Sequence, residues 1–166
     1  VFRGRFAEAL LARACLTPGG TVLSNALFPT TRFHLESAGA RVVEIGIPEA
    51  DDLYDPHLFK GELDLAAVER ALGGDGVPQP VQAIYVELCA NAIGGHPVRL
   101  SHLRAVRDLA AAHGVPVLLD ATRAYANAAL LAERERGQAG RPPVDIVRDL
   151  CACATACAAS LARDFV

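Results

Sequence analysis

Short apolar runs alternate with stretches of helical period along most of this chain, and the joints between them are short and rich in glycine. That alternation constrains the fold most, because a strand–helix–strand unit returns to a parallel sheet and stacks helices on its faces. From Arg5 to Leu16 the apolar positions Phe6, Ala9, Leu10 and Cys15 follow a helical period that Thr17-Pro18-Gly19-Gly20 stops. Thr21 to Asn25 reads as a short strand. Pro29 opens a helix that Gly39 ends, and Arg41 to Ile47 reads as the next strand. Pro48 to Gly61 is polar and punctuated, which predicts a surface loop; Asp64 then caps a helix through Leu72. A buried strand is expected from Gln82 to Leu88, and Ser101 caps an amphipathic helix that His113-Gly114 ends. Val115 to Leu119 is a strand ending in Asp120, and Thr122 to Arg136 and Val144 to Leu150 read as helices. The Cys/Ala run from Cys151 to Ala159 is compatible with a strand or with a continued helix. The expected fold class is α/β, a mostly parallel sheet with helices on both faces.

With 166 residues, 52% of them hydrophobic, the chain suffices for one compact domain with a sizeable core. Its formal charge of −3 offers no cationic surplus to a phosphate backbone, so no nucleic-acid partner is expected. Apolar stretches end well short of the roughly 20 residues a membrane-spanning helix needs, so a soluble protein without a membrane partner is expected. No secretory signal opens the sequence, and the expected setting is cytoplasmic. The chain starts at Val1 and holds no methionine, which points to a fragment of a longer protein. Five cysteines, three crowded at Cys151, Cys153 and Cys157, do not make a disulfide framework. Their spacing, without a nearby histidine, matches no usual zinc or cluster site, so no metal is expected and these three read as buried thiols. Lys60 is the single lysine.

Asp120 stands at a strand end and is followed by Ala121-Thr122-Arg123, which puts an acid and a base side by side at the sheet edge. A carboxylate there suits a protonated ring nitrogen, and the arginine suits an anionic oxygen of the same ligand; an Asp that merely caps the next helix fits the spacing equally well. Asn91 follows a buried strand and would emerge at the same edge if the two strands are neighbours. Gly94-Gly95 reads as a turn needing positive φ, and His96 as a loop histidine. Arg3-Gly4-Arg5 before a helix resembles a phosphate site but also a solvated terminus, and Phe28 suits either a flat ring or the core. There is no Gly-x-Ser-x-Gly elbow, Walker-type loop or His-Glu-x-x-His helix.

Several segments, in order, resemble the aromatic amino-acid β-eliminating lyases, the family of tryptophanase and tyrosine phenol-lyase. Phe28-Pro29-Thr30-Thr31-Arg32-Phe33-His34 is similar to the family's Phe-Thr-Thr-Thr-Arg-(Phe/Tyr)-His, and Phe59-Lys60-Gly61 with Asp64-Leu65 to its Phe-Lys-Gly and Asp-Leu stretch. Asn91 to Pro97 resembles Asn-x-Ala-Gly-Gly-Gln-Pro, with His96 for the glutamine, and Leu103 to Arg107 resembles its Arg-Ala-Val-Arg helix. Asp120-Ala121-Thr122-Arg123, then Asn127-Ala128 and Glu133-Arg134-Glu135, completes the likeness from about Arg3 to Asp164.

The resemblance implies an aspartate-aminotransferase-like (fold type I) large domain, present in part over residues 1–166, with an N-terminal segment and a small C-terminal domain absent. It implies a pyridoxal-phosphate carbon–carbon lyase of amino-acid metabolism that cleaves tryptophan or tyrosine to indole or phenol, pyruvate and ammonia, homo-oligomeric in the parent family. Gly4, Arg5 and Ser160 would hold the cofactor phosphate, Phe28 would stack on the ring, Asn91 and Arg123 would bind its phenolic oxygen, and Asp120 would keep its nitrogen protonated. Asp120 and Arg123 are thus the implied catalytic residues. After its serine the family places a Lys-Lys-Asp whose second lysine forms the Schiff base; here Ala162 and Arg163 fall on those lysines, before Asp164. A guanidinium with a pKa above about 12 offers no free amine, so the chain is expected to be inactive on its own. The alternative is a non-catalytic lyase-derived remnant that binds pyridoxal phosphate non-covalently or serves as an interaction domain.

Overall fold

The computed structural model describes residues 4–160. In chain order the helices are α1 (Gly4–Cys15), α2 (Pro29–Ser37), α3 (Leu65–Leu72), α4 (Leu100–Ala112), α5 (Ala124–Arg134) and α6 (Pro143–Cys151). The strands are β1 (Thr21–Ser24), β2 (Arg41–Glu44), β3 (Val81–Glu87), β4 (Val117–Asp120) and β5 (Ala156–Ala158). They form one parallel sheet in the order β2-β1-β3-β4-β5. This is the expected α/β layering. All carboxyl ends lie along one edge, where open α/β sheets bind ligands.

Side-chain alternation along the strands divides the core in two. Leu23, Ile84, Val86, Val117 and Leu119 pack with α3 to α6 through Val68, Leu103, Val106, Leu131, Ile146 and Leu150. The intervening Val22, Ala83, Tyr85 and Leu118 pack with Ala12 and Leu16, at and just beyond the end of α1, and with Leu35 of α2. Period-2 strands between period-3.6 helices place consecutive residues on opposite faces, so each strand needs a helix layer on both sides.

Several boundaries differ from the sequence expectations for identifiable reasons. Ser101 does not cap α4: the helix starts at Leu100, and its Leu100 and Ser101 amides donate to the Glu135 carboxylate at 3.0 Å each. The cap comes from a residue just beyond α5, a tertiary contact invisible to local spacing. Asp64 caps α3 as expected, accepting from the Ala67 amide at 3.1 Å. α5 begins at Ala124 rather than Thr122, because the Thr122 amide donates to Asp120 at 2.8 Å and turns the chain first. β4 starts at Val117, since Pro116 has no N–H and the Val115 amide closes α4 by donating to the Ala110 carbonyl at 2.9 Å.

The Cys/Ala run holds both structures, with α6 reaching Cys151 and β5 following a short turn. Cys153 is buried there, but Cys151 is half-buried and Cys157 exposed, which corrects the reading of all three as buried thiols. Pro48 to Gly61 is not wholly a surface loop either: Phe59 and Lys60 are buried, and the Lys60 Nζ donates to the Asp52 carbonyl. No helix among the described residues is long and apolar enough to cross a membrane.

Candidate functional site

β3 and β4 are neighbours, and Glu87 pairs in register with Asp120 at their carboxyl ends. The loops after these strands therefore leave the same part of the sheet edge. Arg123, in the loop after β4, donates from Nη2 to Asn91 Oδ1 at 2.9 Å, so the two expected ligands of one anionic oxygen converge. Gly94 and Gly95 adopt φ of 78° and 79°, the left-handed turn that returns the chain to His96, which bridges antiparallel to Ala90. Asn127, fully buried on α5, holds this loop: its Oδ1 accepts from Cys89 and Val98 amides at 3.2 and 3.0 Å, and its Nδ2 donates to the Val98 carbonyl at 2.9 Å.

Asp120 is buried, and burial raises its pKa against the lowering effect of the Thr122 hydroxyl and amide and of Arg123. Its Oδ1 accepts the Thr122 amide in the turn before α5, but it does not cap that helix, whose N-cap Arg123 has no side-chain cap bond. Beside it stands Glu87, which the sequence reading missed. Its Oε2 accepts the Phe28 amide at 2.7 Å and its Oε1 the Asn91 amide at 3.0 Å, with Arg123 Nη1 4.0 Å from Oε1. Burial pushes Glu87 up to about 7, with the two amides and Arg123 lowering it and Asp120 raising it further. The rule that singled out Asp120, an acid closing an apolar strand, applies equally to Glu87.

The same polar layer reaches α1. Glu8 is buried, accepts from the Thr31 hydroxyl at 3.3 Å and is raised by burial and by Asp120. Tyr85, between the strands and α1, is pushed well up by burial and by Asp120, Glu8 and Glu87; its hydroxyl and that of Ser24 are buried without a hydrogen-bond partner among the described residues. Burial thus raises all three clustered carboxyls, Glu8, Glu87 and Asp120, and favours their protonated forms.

Gly4 opens α1, and a Cβ built on it would lie 2.7 Å from the Ser160 Cβ. The close approach brings the start of α1 against the segment after β5, uniting two expected phosphate ligands from opposite ends of the chain. The Ser160 amide donates to the Thr122 hydroxyl at 3.1 Å, which ties this end to the loop after Asp120. Arg5 is exposed on the first turn of α1, and Phe28 is half-buried at the N-cap of α2. Arg163, with Arg3, Ala162 and Asp164, lies outside the described residues.

Solved structures place the architecture. An archaeal alanine:glyoxylate aminotransferase matches with a TM-score of 0.67 at 17% identity over 98% of this chain and 36% of that one. N-Succinyldiaminopimelate aminotransferase from Mycobacterium tuberculosis matches with a TM-score of 0.60 at 20% identity over 75% of this chain and 29% of that one. The fold is therefore that of the fold type I aminotransferases. Within that class the sequence is more specific. The family model for the beta-eliminating lyases matches residues 1–166. A tyrosine phenol-lyase from Intrasporangium calvum is 40% identical over 148 residues, 89% of this chain and 31% of that protein. A tryptophanase from Rhodobacter capsulatus is 38% identical over 162 residues, 98% of this chain and 35% of that protein. The chain belongs to the beta-eliminating lyase family, and it spans about a third of the length of these relatives.

Pyridoxal phosphate is the cofactor the family implies, and the residues present fit its ring and phosphate. Buried Asp120 offers a carboxylate to a ring nitrogen, the Arg123–Asn91 pair offers donors to a phenolic oxygen, and the Gly4–Ser160 approach leaves no room for a side chain at the α1 N-terminus. At the position where the resemblance expects the family's lysine the sequence carries Arg163, which lies outside the described residues.

Proposed function

We propose that residues 1–166 are part of a single cofactor-binding domain of a β-eliminating carbon–carbon lyase and bind pyridoxal phosphate non-covalently. The convergence of Asp120 with the Arg123–Asn91 pair at the carboxyl ends of β3 and β4 carries this reading. Bound pyridoxal phosphate supplies an electron sink for the carbanion left when an amino acid loses its α-proton. Asp120 holds the proton at the ring nitrogen, Arg123 and Asn91 bind the phenolic oxygen, and Phe28 covers the ring face. Gly4, Arg5 and Ser160 bind the phosphate, helped by the partial positive charge of the α1 N-terminus.

The substrate class of the ancestral reaction is an aromatic amino acid, tryptophan or tyrosine, cleaved to indole or phenol with pyruvate and ammonia. Arg163 offers neither an amine to form the attachment nor a base to move the α-proton, so this chain binds without turnover. Five free cysteines suit a reducing, cytoplasmic setting. Homo-oligomeric assembly is consistent with the exposed Phe6, Leu10 and Phe33 of α1 and α2.

Titration of the purified chain with pyridoxal phosphate, followed by absorbance, tests the reading, with borohydride reduction and mass spectrometry as the covalent readout. Saturable binding without a trapped adduct is expected. An adduct on Lys60 would overturn non-covalent binding, and no saturable binding would overturn the cofactor reading altogether.

A further inference from the structure

β3 lies in the middle of the sheet with β1 on one side and β4 on the other, so the residue that closes it stands between the loops leaving both neighbours. That residue is Glu87, and the segments carrying Phe28, Asn91 and Arg123 all meet its buried side chain. From the β1 side, the Phe28 amide donates to Oε2 at 2.7 Å. From the loop after β3 itself, the Asn91 amide donates to Oε1 at 3.0 Å. From the β4 side, Arg123 Nη1 stands 4.0 Å from the same oxygen while its Nη2 donates to Asn91 Oδ1 at 2.9 Å, which closes a ring of contacts through Glu87, Asn91 and Arg123.

The local sequence leaves both amides in need of an acceptor from elsewhere. Phe28 is the N-cap of α2, and its side chain has no oxygen to offer the helix start. Asn91 opens a short 3-10 turn (Asn91–Ile93) whose N-cap, Ala90, is equally unable to accept. One carboxyl with two oxygens serves both loops. Its own backbone is fixed by the buried Asn25, whose Oδ1 accepts the Glu87 amide at 3.0 Å and whose Nδ2 donates to the Glu87 and Gly61 carbonyls at 2.9 and 2.8 Å. Both Glu87 oxygens are engaged by backbone amides, so the side chain holds the segments that carry the ring ligands. The phosphate ligands are held by other contacts, Gly4 against Ser160 and the Ser160 amide on the Thr122 hydroxyl.

We propose that Glu87 is a positioning residue for the cofactor ring, setting Phe28 against the ring face and the Asn91–Arg123 pair against the phenolic oxygen without touching the cofactor itself. The proposal rests on the pyridoxal-phosphate reading above and adds a residue that this reading does not use. It also gives a reason for an acid at the end of β3 beside Asp120, where burying two carboxyls in register is costly unless their hydrogen bonds are used.

The test compares the purified 166-residue chain with its Glu87→Gln variant, using pyridoxal phosphate as the probe at pH 8, above the value of about 7 to which burial pushes Glu87. Glutamine keeps the shape but offers one acceptor oxygen where the carboxylate offers two, so one of the two loops is released. Equilibrium dialysis should show binding weakened roughly tenfold, the loss of about one hydrogen bond. At saturation, the absorbance of the bound ring, which reports the ionisation of its phenolic oxygen, should also differ between the two chains. Glu87→Asp, too short to span both amides, should behave like Glu87→Gln. Unchanged affinity, or weaker binding with an identical bound spectrum, would overturn the proposal, the second by assigning Glu87 a merely structural role. Failure of the unmodified chain to bind would overturn the cofactor reading and this proposal with it, whereas failure confined to the comparison overturns the proposal alone. If both variants fail to fold, amide hydrogen exchange in the unmodified chain decides. The Phe28 and Asn91 amides should be protected and slow further when pyridoxal phosphate binds; unprotected amides, or no slowing, would overturn the proposal.

Discussion

Glu87 and Asp120 are register partners whose side chains leave the sheet on the same side, the one that α1 and α2 cover with Tyr85 and Leu118. They are 3% and 5% exposed, so two neighbouring carboxylates have lost most of their water. Glu87 resolves the conflict by holding its proton up to about 7, while its oxygens anchor the amides of Phe28 and Asn91.

This pair predicts an acid-favoured stability profile. A carboxyl whose folded pKa is raised binds its proton more tightly folded than unfolded, so stability falls as pH rises from about 4.5 to about 7 and levels off above that. A displacement of that size is worth at most about 3 kcal/mol for Glu87, and Asp120 and Glu8, also raised, act in the same direction. Denaturant unfolding at a series of pH values should show the decline, and Glu87→Gln should flatten much of it. A stability that rises over this window would contradict the buried, protonated Glu87.

Asp120→Asn removes the negative charge but keeps most of the shape. Loss of a charge-assisted hydrogen bond to the ring nitrogen should weaken pyridoxal phosphate binding roughly 10- to 100-fold. An unchanged dissociation constant in equilibrium dialysis would mean that Asp120 serves only as the cap of the Thr122 turn.

At Gly4 the usual effect of alanine in a helix is expected to reverse. Replacing glycine by alanine in a helix gains roughly 0.5–1 kcal/mol when space permits. Here the new Cβ would meet the Ser160 Cβ at 2.7 Å and Cα at 3.2 Å. Gly4→Ala should lower the melting temperature and weaken cofactor binding together. A more stable variant would show that Ser160 yields without cost.

Asn127→Ala should be strongly destabilising. It leaves the Cys89 and Val98 amides and the Val98 carbonyl without their buried partner, a cost of about 3 kcal/mol or more. Calorimetry or denaturant unfolding measures it, and a change below about 1 kcal/mol would point to water taking over the role.

Arg163→Lys should make borohydride trapping of pyridoxal phosphate possible at that position, yet release no pyruvate from tyrosine or tryptophan, because this chain carries about a third of the length of its relatives. Pyruvate release would show that the chain holds a complete substrate site.

Much of this arrangement was legible in the sequence. The order of strands and helices, the Asp64 cap and the Gly94-Gly95 turn follow from local patterning, since period, capping chemistry and left-handed glycine act over a few residues. The likeness to the lyases named Asp120, Asn91, Arg123 and the Gly4–Ser160 pairing before any coordinates. Glu87 was not legible as a clamp, because its partners Phe28 and Asn91 lie on separate loops that only the sheet order brings to its two oxygens.

The residue at each position, including Arg163 where the resemblance expects the family's lysine, belongs to the sequence alone, and so does the chemistry that residue can or cannot perform. Which carboxylates are buried side by side, which residue caps α4 and which of three crowded thiols is buried were decided by the tertiary structure. Desolvation and long-range hydrogen bonds arise only when β3 packs beside β4 and the segment after α5 meets α4, contacts between residues that are remote along the chain.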